Sequence, residues 1–502
     1  MSLGRNYLAS LANAAWSAVI GLAVVPLYLR YLGIESYGLI GFFMTVQALL
    51  QFLDMGLAPT INREVARYSA SGSLKEAGKL LHTLAIVYWG IAVVIALSIA
   101  ALAQVIAAHW LHPKHLSQQA IEHAVMLMGL VVACRWPIGL YQGALMGAQR
   151  IILSSGISMV MVTIGNVGAV AVLALVSPTI EGFFIWQACV GLVYAIAIRS
   201  AAWKIIGKTN EIKFEFDKLK SVWRFTAGMS AIGVTSLLFT QLDKVILSKM
   251  LGLDEFGHYM LAMIIVSGLN IFIGPVYTVM YPRFSALVAR GDTAKLTDLY
   301  RLGTRMLATL LFPIAMLLAV FAEELVRVWT GNPDVATSVA PIVTLLAMGS
   351  ALNGVMYFPY ALQLAYGMTG IPLSINIVLM CFLVPMIIYL AQAYGALGGA
   401  MAWLTSEVAY LILGPWLTHR YLLKGLASRW LLQDVGIPLL LSILVGAAGY
   451  YVTVGTDYSV YSKLMCGVGL AVLTSMLTLW LSPQLRFAIV QFIESKRCAI
   501  NH

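Results

Sequence analysis

Long apolar stretches alternate with short polar segments along the whole chain. An α-helix needs about 20 mainly apolar residues to cross a hydrocarbon core of roughly 30 Å. The pattern therefore predicts an all-α integral membrane protein with about fourteen transmembrane helices. Their predicted bounds are 8–29, 38–58, 83–108, 122–146, 152–176, 182–203, 225–247, 257–281, 305–328, 338–364, 371–391, 397–418, 435–454 and 464–482.

A short motif occurs once in each half of the chain. Residues 32–38 read Leu-Gly-Ile-Glu-Ser-Tyr-Gly, and residues 251–257, found 219 positions later, read Leu-Gly-Leu-Asp-Glu-Phe-Gly. An even number of predicted helices, six, separates the copies, so both copies should point the same way across the membrane. Parallel repeats of this kind are a transporter architecture with the substrate site between the halves.

The repeat predicts two parallel six-helix lobes followed by two additional helices. The predicted segments are an N-terminal lobe 1–203, a basic cytoplasmic linker 204–224, a C-terminal lobe 225–420, the two additional helices 435–482 and a cytoplasmic tail 483–502. Within the motif, Gly33 and Gly252 suit helix C-caps. The aromatic residues Tyr37 and Phe256 suit the membrane–water interface.

Composition supports a lipid-embedded protein. Hydrophobic residues make up 61% of the chain and charged residues only 10%, whereas soluble proteins carry about 25% charged residues. The net charge is +10, and the basic residues responsible for it lie mainly between the apolar segments. This distribution indicates cytoplasmic loops and anionic lipid rather than nucleic acid. With the N-terminus inside, the inner segments hold 23 Lys and Arg residues and the outer segments 5. Both termini are therefore predicted to be cytoplasmic.

Motifs for catalysis and metal binding are absent from the sequence. It has no Walker A loop, no Gly-x-Ser-x-Gly and no His-Glu-x-x-His, and its five cysteines form no Cys-x-x-Cys pair. The predicted loops are too short for an aqueous catalytic domain. The sequence therefore predicts a protein that is not an enzyme and has no cofactor, catalytic residue or metal site.

Several loose motifs, in a consistent order and spacing, carry a family resemblance. They occupy residues 26–33, 37–38, 53–57, 62–67, 241–247 and 257–259. With them the chain resembles the O-antigen and polysaccharide repeat-unit flippases. These belong to the multidrug, oligosaccharidyl-lipid and polysaccharide exporter superfamily. The residues alone indicate only a two-lobed transporter.

The resemblance implies a flippase that works by alternating access. Because the sequence has no ATP-binding motif, we expect an ion gradient, or alternatively a lipid gradient, as its driving force. Its cargo would be a polyprenyl-diphosphate-linked oligosaccharide, moved from the cytoplasmic to the periplasmic leaflet of a bacterial inner membrane. Membrane lipids and the polysaccharide polymerase machinery would be its other partners, and nucleic acid would not.

Three alternatives compete with this interpretation. A lipid II-type flippase of the same superfamily stays open. A multidrug or toxin extruder usually carries a carboxylate in its first helix, and residues 8–29 contain no Asp or Glu. A membrane glycosyltransferase or ligase would need acidic catalytic residues on a sizeable outer loop, and the predicted outer loops are short.

Arg135 is the first candidate for binding the substrate. It lies near the middle of the fourth predicted helix, just before Pro137, where a charge is costly unless it faces a cavity or a partner. A guanidinium binds phosphate oxygens in a bidentate manner. The competing interpretation is a structural arginine paired with a carbonyl or a carboxylate. Arg30 and Lys244 are further basic candidates for the substrate.

Glu407 is the first candidate for coupling. It lies in the middle of the twelfth predicted helix, where a lone carboxylate can exchange protons with a gradient. Alternatively, it is a packed, hydrogen-bonded carboxylate with a structural role.

The remaining candidates for coupling or gating are Asp243, Asp54 and Arg63. Asp243 precedes Lys244, and adjacent helical side chains point about 100° apart, so the two are not expected to neutralise each other. Asp243 could instead form a gate with Arg30. Asp54 and Arg63 lie at the inner end of the second predicted helix. There they suit either a cytoplasmic gate or, for Arg63, simple anchoring by positive charge.

Overall fold

The described chain consists of helices, as the sequence predicts. A computed structural model describes residues 3–54, 57–207, 237–453 and 458–486. Within these ranges, eleven helices are long and apolar enough to cross a membrane. The only extended pairing among them is a single bridge between His112 and Gly252. The protein is therefore an all-α, multi-pass membrane protein.

The chain divides into two compact units, Met1–Gly257 and His258–His502. The first unit contains α1 Leu3–Leu50, a 3₁₀ turn Gln51–Asp54, α2 Leu57–Ala70, α3 Leu74–His109, α4 Gln118–Arg135, α5 Ile138–Gly147, α6 Ile151–Leu175, α7 Ile180–Ile206, the described part of α8 (237–250) and the first turn of α9 Leu253–Ser267.

The second unit begins within α9. It continues with α10 Asn270–Arg290, α11 Thr293–Val320, α12 Ala322–Thr330, α13 Pro333–Ala365, α14 Gly370–Tyr421, a short α15 Ala427–Arg429, a π-helical segment Trp430–Gly436, α16 Ile437–Thr453 and α17 Val460–Leu481. Most of the predicted linker 204–224 and of the tail 483–502 lies outside the described residues.

Two of these helices are interrupted by a glycine. Gly33 has φ 77° inside α1, and Gly395 has φ 59° inside α14. Glycine adopts positive φ easily because it has no Cβ. Each of these long elements is thus two helices, and both interruptions fall in gaps predicted from the sequence.

The repeated motif differs from expectation at three of its four predicted positions. Gly33 ends a helix with positive φ as predicted, but Gly252 does not adopt positive φ and instead pairs with His112. Tyr37 and Phe256 are buried, with exposures of 2% and 0%, so their rings pack inside the protein instead of facing lipid headgroups. The motif packs within the first unit, and its aromatic side chains fill that packing.

A core at one end of the first unit forms between α2, α3, α5 and α7. Ile61 and Tyr141 are among its fully buried side chains. Gly143 and Gly147 let α5 approach the backbone of α2 closely: a Cβ there would lie 2.6 and 2.4 Å from carbonyl oxygens. Small residues allow this close helix packing in membrane proteins.

Candidate functional site

Arg135 lies at the end of α4, where Pro137 separates that helix from α5. Its guanidinium donates a short hydrogen bond to the side-chain oxygen of Gln187 on α7. The amide of Gln187 donates in turn to the carbonyl oxygen of Gly165, at 3.4 Å. Gln187 is only 5% exposed. A neutral, well-held amide therefore orients the arginine.

The charge of Arg135 is not balanced locally. None of the described carboxylates forms a salt bridge with it. The aromatic ring of Phe43 lies 6.0 Å from its guanidinium carbon, and nearby Tyr28 donates to the carbonyl oxygen of Asn166. The arginine is half-buried. A partly desolvated cation held by neutral groups is well suited to receive an anion.

Glu407 lies on the second half of α14 and is fully buried. Its Oε2 accepts a hydrogen bond of 3.0 Å from the amide of Asn353 on α13. Its Oε1, like the hydroxyl of buried Ser406, has no hydrogen-bond partner among the described residues. A buried carboxylate with one oxygen unsatisfied is costly unless it takes up a proton or a cation.

Four half-buried tyrosines form a cluster of rings on α10 and α13. The rings of Tyr277 and Tyr281 are stacked with centroids 5.8 Å apart and an interplanar angle of 2°. Tyr357 meets Tyr277 edge-on at 5.8 Å, and Tyr360 lies parallel to it at 6.4 Å. Tyr357 is one helical turn from Asn353, which holds Glu407. We call these four residues the tyrosine cluster.

Glu35, just after the glycine break in α1, holds a loop between α3 and α4. Its carboxylate accepts backbone hydrogen bonds from Lys114 at 2.6 Å, from His115 at 3.0 Å and from Leu116 at 3.4 Å. Glu35 is only 7% exposed. Hydrogen bonds to an ionised group in such a setting contribute about 1.5–3 kcal/mol each. Glu35 therefore fixes the position of the loop.

The same loop binds the segment between α8 and α9. The Lys114 ammonium lies 2.7 Å from Oδ2 of Asp254, and the backbone N–H of Leu253 donates to the carbonyl of His112 at 3.1 Å. The hydrogen bond that Lys114 donates to Asp254 raises the pKa of Lys114. Partial burial opposes ionisation of Asp254, but hydrogen bonds from Lys114 and the backbone outweigh it and lower its pKa. The ion pair is therefore intact at neutral pH.

The two copies of the repeated motif pack against each other reciprocally. A Cβ on Gly38 would lie 2.1 Å from the carbonyl oxygen of Leu253, and a Cβ on Gly257 would lie 2.5 Å from that of Ile34. Ile34 and Leu253 occupy equivalent motif positions, as do the two glycines. We call this contact, together with Glu35, Lys114 and Asp254, the motif latch.

The acid–base pair on α8 differs from expectation. The Lys244 ammonium donates to both carboxylate oxygens of Asp243, at 3.0 and 3.1 Å, and to the carbonyl of Thr240 at 2.7 Å. Both charged residues are buried. The expectation that the two do not neutralise each other is wrong, because the long lysine side chain folds back across the helix surface. Arg30 is exposed and forms no salt bridge with a described residue, so a gate with Asp243 is not formed in this structure.

The two candidates at the inner end of the second predicted helix have separate partners. The carboxylate of Asp54 accepts a short hydrogen bond from Tyr88 and one of 3.3 Å from the backbone of Ala58. Arg63 is exposed and lies 3.7 Å from Glu64.

The polar half of the motif latch was not predicted from the sequence. The prediction rested on the glycines and aromatics of the repeat, whereas Glu35 and Asp254 stand at equivalent positions of the two motif copies. An acidic residue in both copies was a usable signal. Nothing in the sequence around Lys114 points to its role.

Comparisons with known proteins agree with this architecture. Residues 28–333 match the family described as polysaccharide biosynthesis protein. A succinoglycan biosynthesis transport protein of Rhizobium meliloti (strain 1021) is 24% identical over 88% of this chain and 87% of its own length. A putative O-antigen transporter of Shigella flexneri is 20% identical over 84% of this chain and 98% of its own.

Solved structures show the same fold. A lipid II flippase in an inward closed conformation superposes with a TM-score of 0.69 at 14% identity, over 94% of this chain and 99% of the other. A multidrug resistance transporter in an inward-facing conformation gives 0.65 at 13% identity, over 82% and 96%. The chain is a transporter rather than an enzyme, as the sequence predicts. It belongs to the polysaccharide biosynthesis protein family.

Proposed function

We propose that this protein is a flippase that moves a lipid-linked oligosaccharide across a membrane by alternating access. The cargo is a polyprenyl-diphosphate-linked repeat unit, carried from the cytoplasmic to the periplasmic leaflet. The observation that carries this proposal is the unbalanced charge of Arg135, held by neutral Gln187 in the membrane domain. A diphosphate supplies the negative charge that the described protein residues do not. The names of the relatives, which concern succinoglycan and O-antigen, support a saccharide cargo.

The saccharide part of the cargo is assigned to the tyrosine cluster. Flat aromatic rings with hydroxyl groups suit the faces and hydroxyls of sugar rings, because each tyrosine offers an apolar body and a polar tip. The four hydroxyls make no hydrogen bond with any described residue. They are therefore available to a hydroxyl-rich ligand. Arg30 and Lys244 remain proposed contacts for the cargo.

The proposed topology is that of a bacterial inner-membrane protein with fourteen transmembrane helices and both termini in the cytoplasm. Eleven described helices suit a membrane span; Gly33 and Gly395 each divide one of them into two, and residues 237–250 belong to one more. The lobes are residues 1–203 and 225–420, joined by the basic linker 204–224 and followed by the helices 435–482 and the tail 483–502. The polymerase that uses the delivered unit is a predicted partner.

Reporter fusions test this topology. Fusions at residues 212 and 292 are expected to report a cytoplasmic location, and a fusion at residue 457 a periplasmic one, because the basic residues stay inside. A periplasmic signal at residue 292 would contradict the parallel two-lobe arrangement. A fusion at residue 5, before the first helix, serves as the cytoplasmic reference.

Coupling is assigned to Glu407, with Asp243, Asp54 and Arg63 as proposed gating residues. We expect Glu407→Gln to slow transport by about tenfold or more, equivalent to a barrier raised by about 1.4 kcal/mol, while leaving insertion and folding intact. The amide keeps the shape and a hydrogen bond to Asn353 but cannot exchange a proton. Transport of labelled lipid-linked oligosaccharide into proteoliposomes, measured with and without a pH gradient, is the readout.

The matched control is Glu323→Gln, which neutralises an exposed carboxylate on α12 of the same unit and should transport normally. Transport by Glu407→Gln at the rate and gradient dependence of the unmodified protein would remove Glu407 from coupling.

A further inference from the structure

The second unit contains a cavity, lined by both polar and apolar residues, that the proposed transport mechanism does not use. It has a volume of about 230 Å³ and lies where α11, the π-helical segment, α16 and α17 meet. Its apolar lining includes Ile437 and Leu485. Its polar lining includes Arg305, Thr309, Gln433 and Ser482.

Two arginines beside this cavity share one carboxylate. Asp434 is fully buried and accepts hydrogen bonds from Arg301, at 2.8 Å, and from Arg305. Arg301 also donates to Gln433 at 3.0 Å. Two guanidinium groups against one carboxylate leave the group with an excess positive charge. A fully buried carboxylate needs such partners, but one arginine would have balanced it.

Unused donors of the cluster lie at the cavity. Arg305 uses Nε for Asp434 and Nη1 for Gln484 at 2.8 Å, while its Nη2 makes no hydrogen bond with a described residue. Thr309 is only 6% exposed, and its buried hydroxyl has no hydrogen-bond partner among the described residues. A buried polar group left unpaired costs about 1–3 kcal/mol. Both observations point to a ligand that accepts hydrogen bonds.

The position along the helices indicates where the ligand comes from. Arg305 lies in the N-terminal half of α11, Ile437 begins α16 and Ser482 follows the last residue of α17. In the proposed topology, all three are near the cytoplasmic surface of the membrane, at the depth of lipid headgroups. Arg486, four residues beyond Ser482, is exposed and adds positive charge. Basic pockets between transmembrane helices on this side bind anionic headgroups.

We propose that this cavity binds the phosphate headgroup of an anionic phospholipid of the inner leaflet, with the phosphate against Arg305 and Thr309. The acyl chains would lie against apolar lining residues such as Ile437 and Leu485. At about 230 Å³, the cavity is smaller than the roughly 300–1,000 Å³ of pockets that enclose a whole small ligand. It therefore suits a phosphate and its glycerol rather than a diphosphate carrying an oligosaccharide. The bound lipid would tie α11 to α16 and α17.

Thermal unfolding of the purified full-length protein tests this proposal. We expect phosphatidylglycerol to raise the melting temperature by several degrees, because ligand binding to the native state stabilises it. Phosphatidylethanolamine, which has no net charge, should not. Gln433→Glu puts a carboxylate beside the phosphate and should weaken phosphatidylglycerol binding about tenfold or more. It retains an acceptor for Arg301. Ser428→Glu, an equal charge change at an exposed position outside the cavity lining, should bind normally.

Thr309→Val provides a second variant that is expected to fold. Since the lost hydroxyl has no partner among the described residues, the lipid-free protein should be at least as stable as the unmodified one. Its stabilisation by phosphatidylglycerol should be smaller.

Four outcomes would overturn the proposal. They are equal stabilisation by phosphatidylethanolamine, unchanged phosphatidylglycerol binding by Gln433→Glu, full stabilisation by inorganic phosphate alone, and stabilisation by a polyprenyl diphosphate but not by phosphatidylglycerol. The last would assign the cavity to the cargo. These measurements need no transport, so they are independent of the proposed flippase function.

Discussion

Replacing Arg135 with alanine is expected to abolish binding of the lipid-linked cargo while the protein remains inserted in the membrane. Among the described residues, no carboxylate pairs with the guanidinium, and its hydrogen-bond partner Gln187 is neutral. Charge-assisted bidentate hydrogen bonds to phosphate are among the strongest that a side chain makes. We expect a loss of affinity of about a hundredfold, the scale of removing a charged hydrogen-bonding group.

Two further substitutions separate charge from structure at this position. Arg135→Lys keeps the charge but not the planar fork, so it should lose much of the activity. Gln187→Glu leaves the arginine in place and gives it a carboxylate. The resulting ion pair should hold the helices together at least as well as the amide does, yet remove the free charge and with it cargo binding.

Binding of a polyprenyl-diphosphate-linked oligosaccharide and the melting temperature should be measured on the same purified variants. Arg290→Ala, at an exposed arginine, is the control and should behave like the unmodified protein. If Arg135→Ala is destabilised but binds cargo normally, then Arg135 has a structural role. Normal binding by Gln187→Glu would show that the unbalanced charge is not what the cargo recognises.

We expect the motif latch to close during the transport cycle, so substituting Gly38 with alanine should weaken the latch and slow transport. The added Cβ would lie 2.1 Å from the carbonyl oxygen of Leu253, and backbone on both sides leaves little room to adjust. Overpacking of this kind typically costs about 1–3 kcal/mol, so the closed arrangement should lose about tenfold or more of its population. Gly257→Ala should act similarly through Ile34.

A cysteine pair at His112 and Gly252 reports the closed latch. These two residues form a backbone bridge, and the Cα atoms of two bridged residues are close enough for a disulfide bond. A Cβ added at Gly252 meets most closely the end of the Asp254 side chain, at 2.7 Å. Once that carboxylate shifts, cross-linking should form in the otherwise unmodified protein, and it should be weak with Gly38→Ala. Gly21→Ala is the control, because nothing lies within 4 Å of a Cβ added there. Efficient cross-linking and normal transport with Gly38→Ala would exclude the latch from the transport cycle.

The sequence predicted the class of fold for a simple physical reason. Lipid leaves long apolar helices as the obvious solution for a chain with so few charges, so helix positions could be read directly. The helix breaks at Gly33 and Gly395 were predictable for the same reason, since the apolar stretches end there. The burial of Tyr37 and Phe256 was not, because an aromatic residue at a helix end suits either an interface or a core.

The candidate residues themselves could be predicted from the sequence, but their partners could not. Arg135 and Glu407 were recognisable because an ionisable group in an apolar stretch is costly and therefore conspicuous. Their partners were not. Gln187 lies 52 residues from Arg135, and Asn353 lies 54 residues from Glu407, so no local pattern joins them. For Asp243 and Lys244, helical spacing suggested separation, but the flexibility of lysine allowed contact.

By itself, then, the sequence determined that this is a helical membrane transporter with a repeated motif, because hydropathy and charge distribution act through the membrane independently of side-chain packing. Only the tertiary structure decided what the motif does. Gly38 meets Leu253, and Glu35 captures a loop some 80 residues away, because helix packing brings together groups whose spacing in the chain carries no information. The tertiary structure also decided that Asp434 pairs with two arginines of α11. A fully buried carboxylate takes its partners from whichever helix lies beside it.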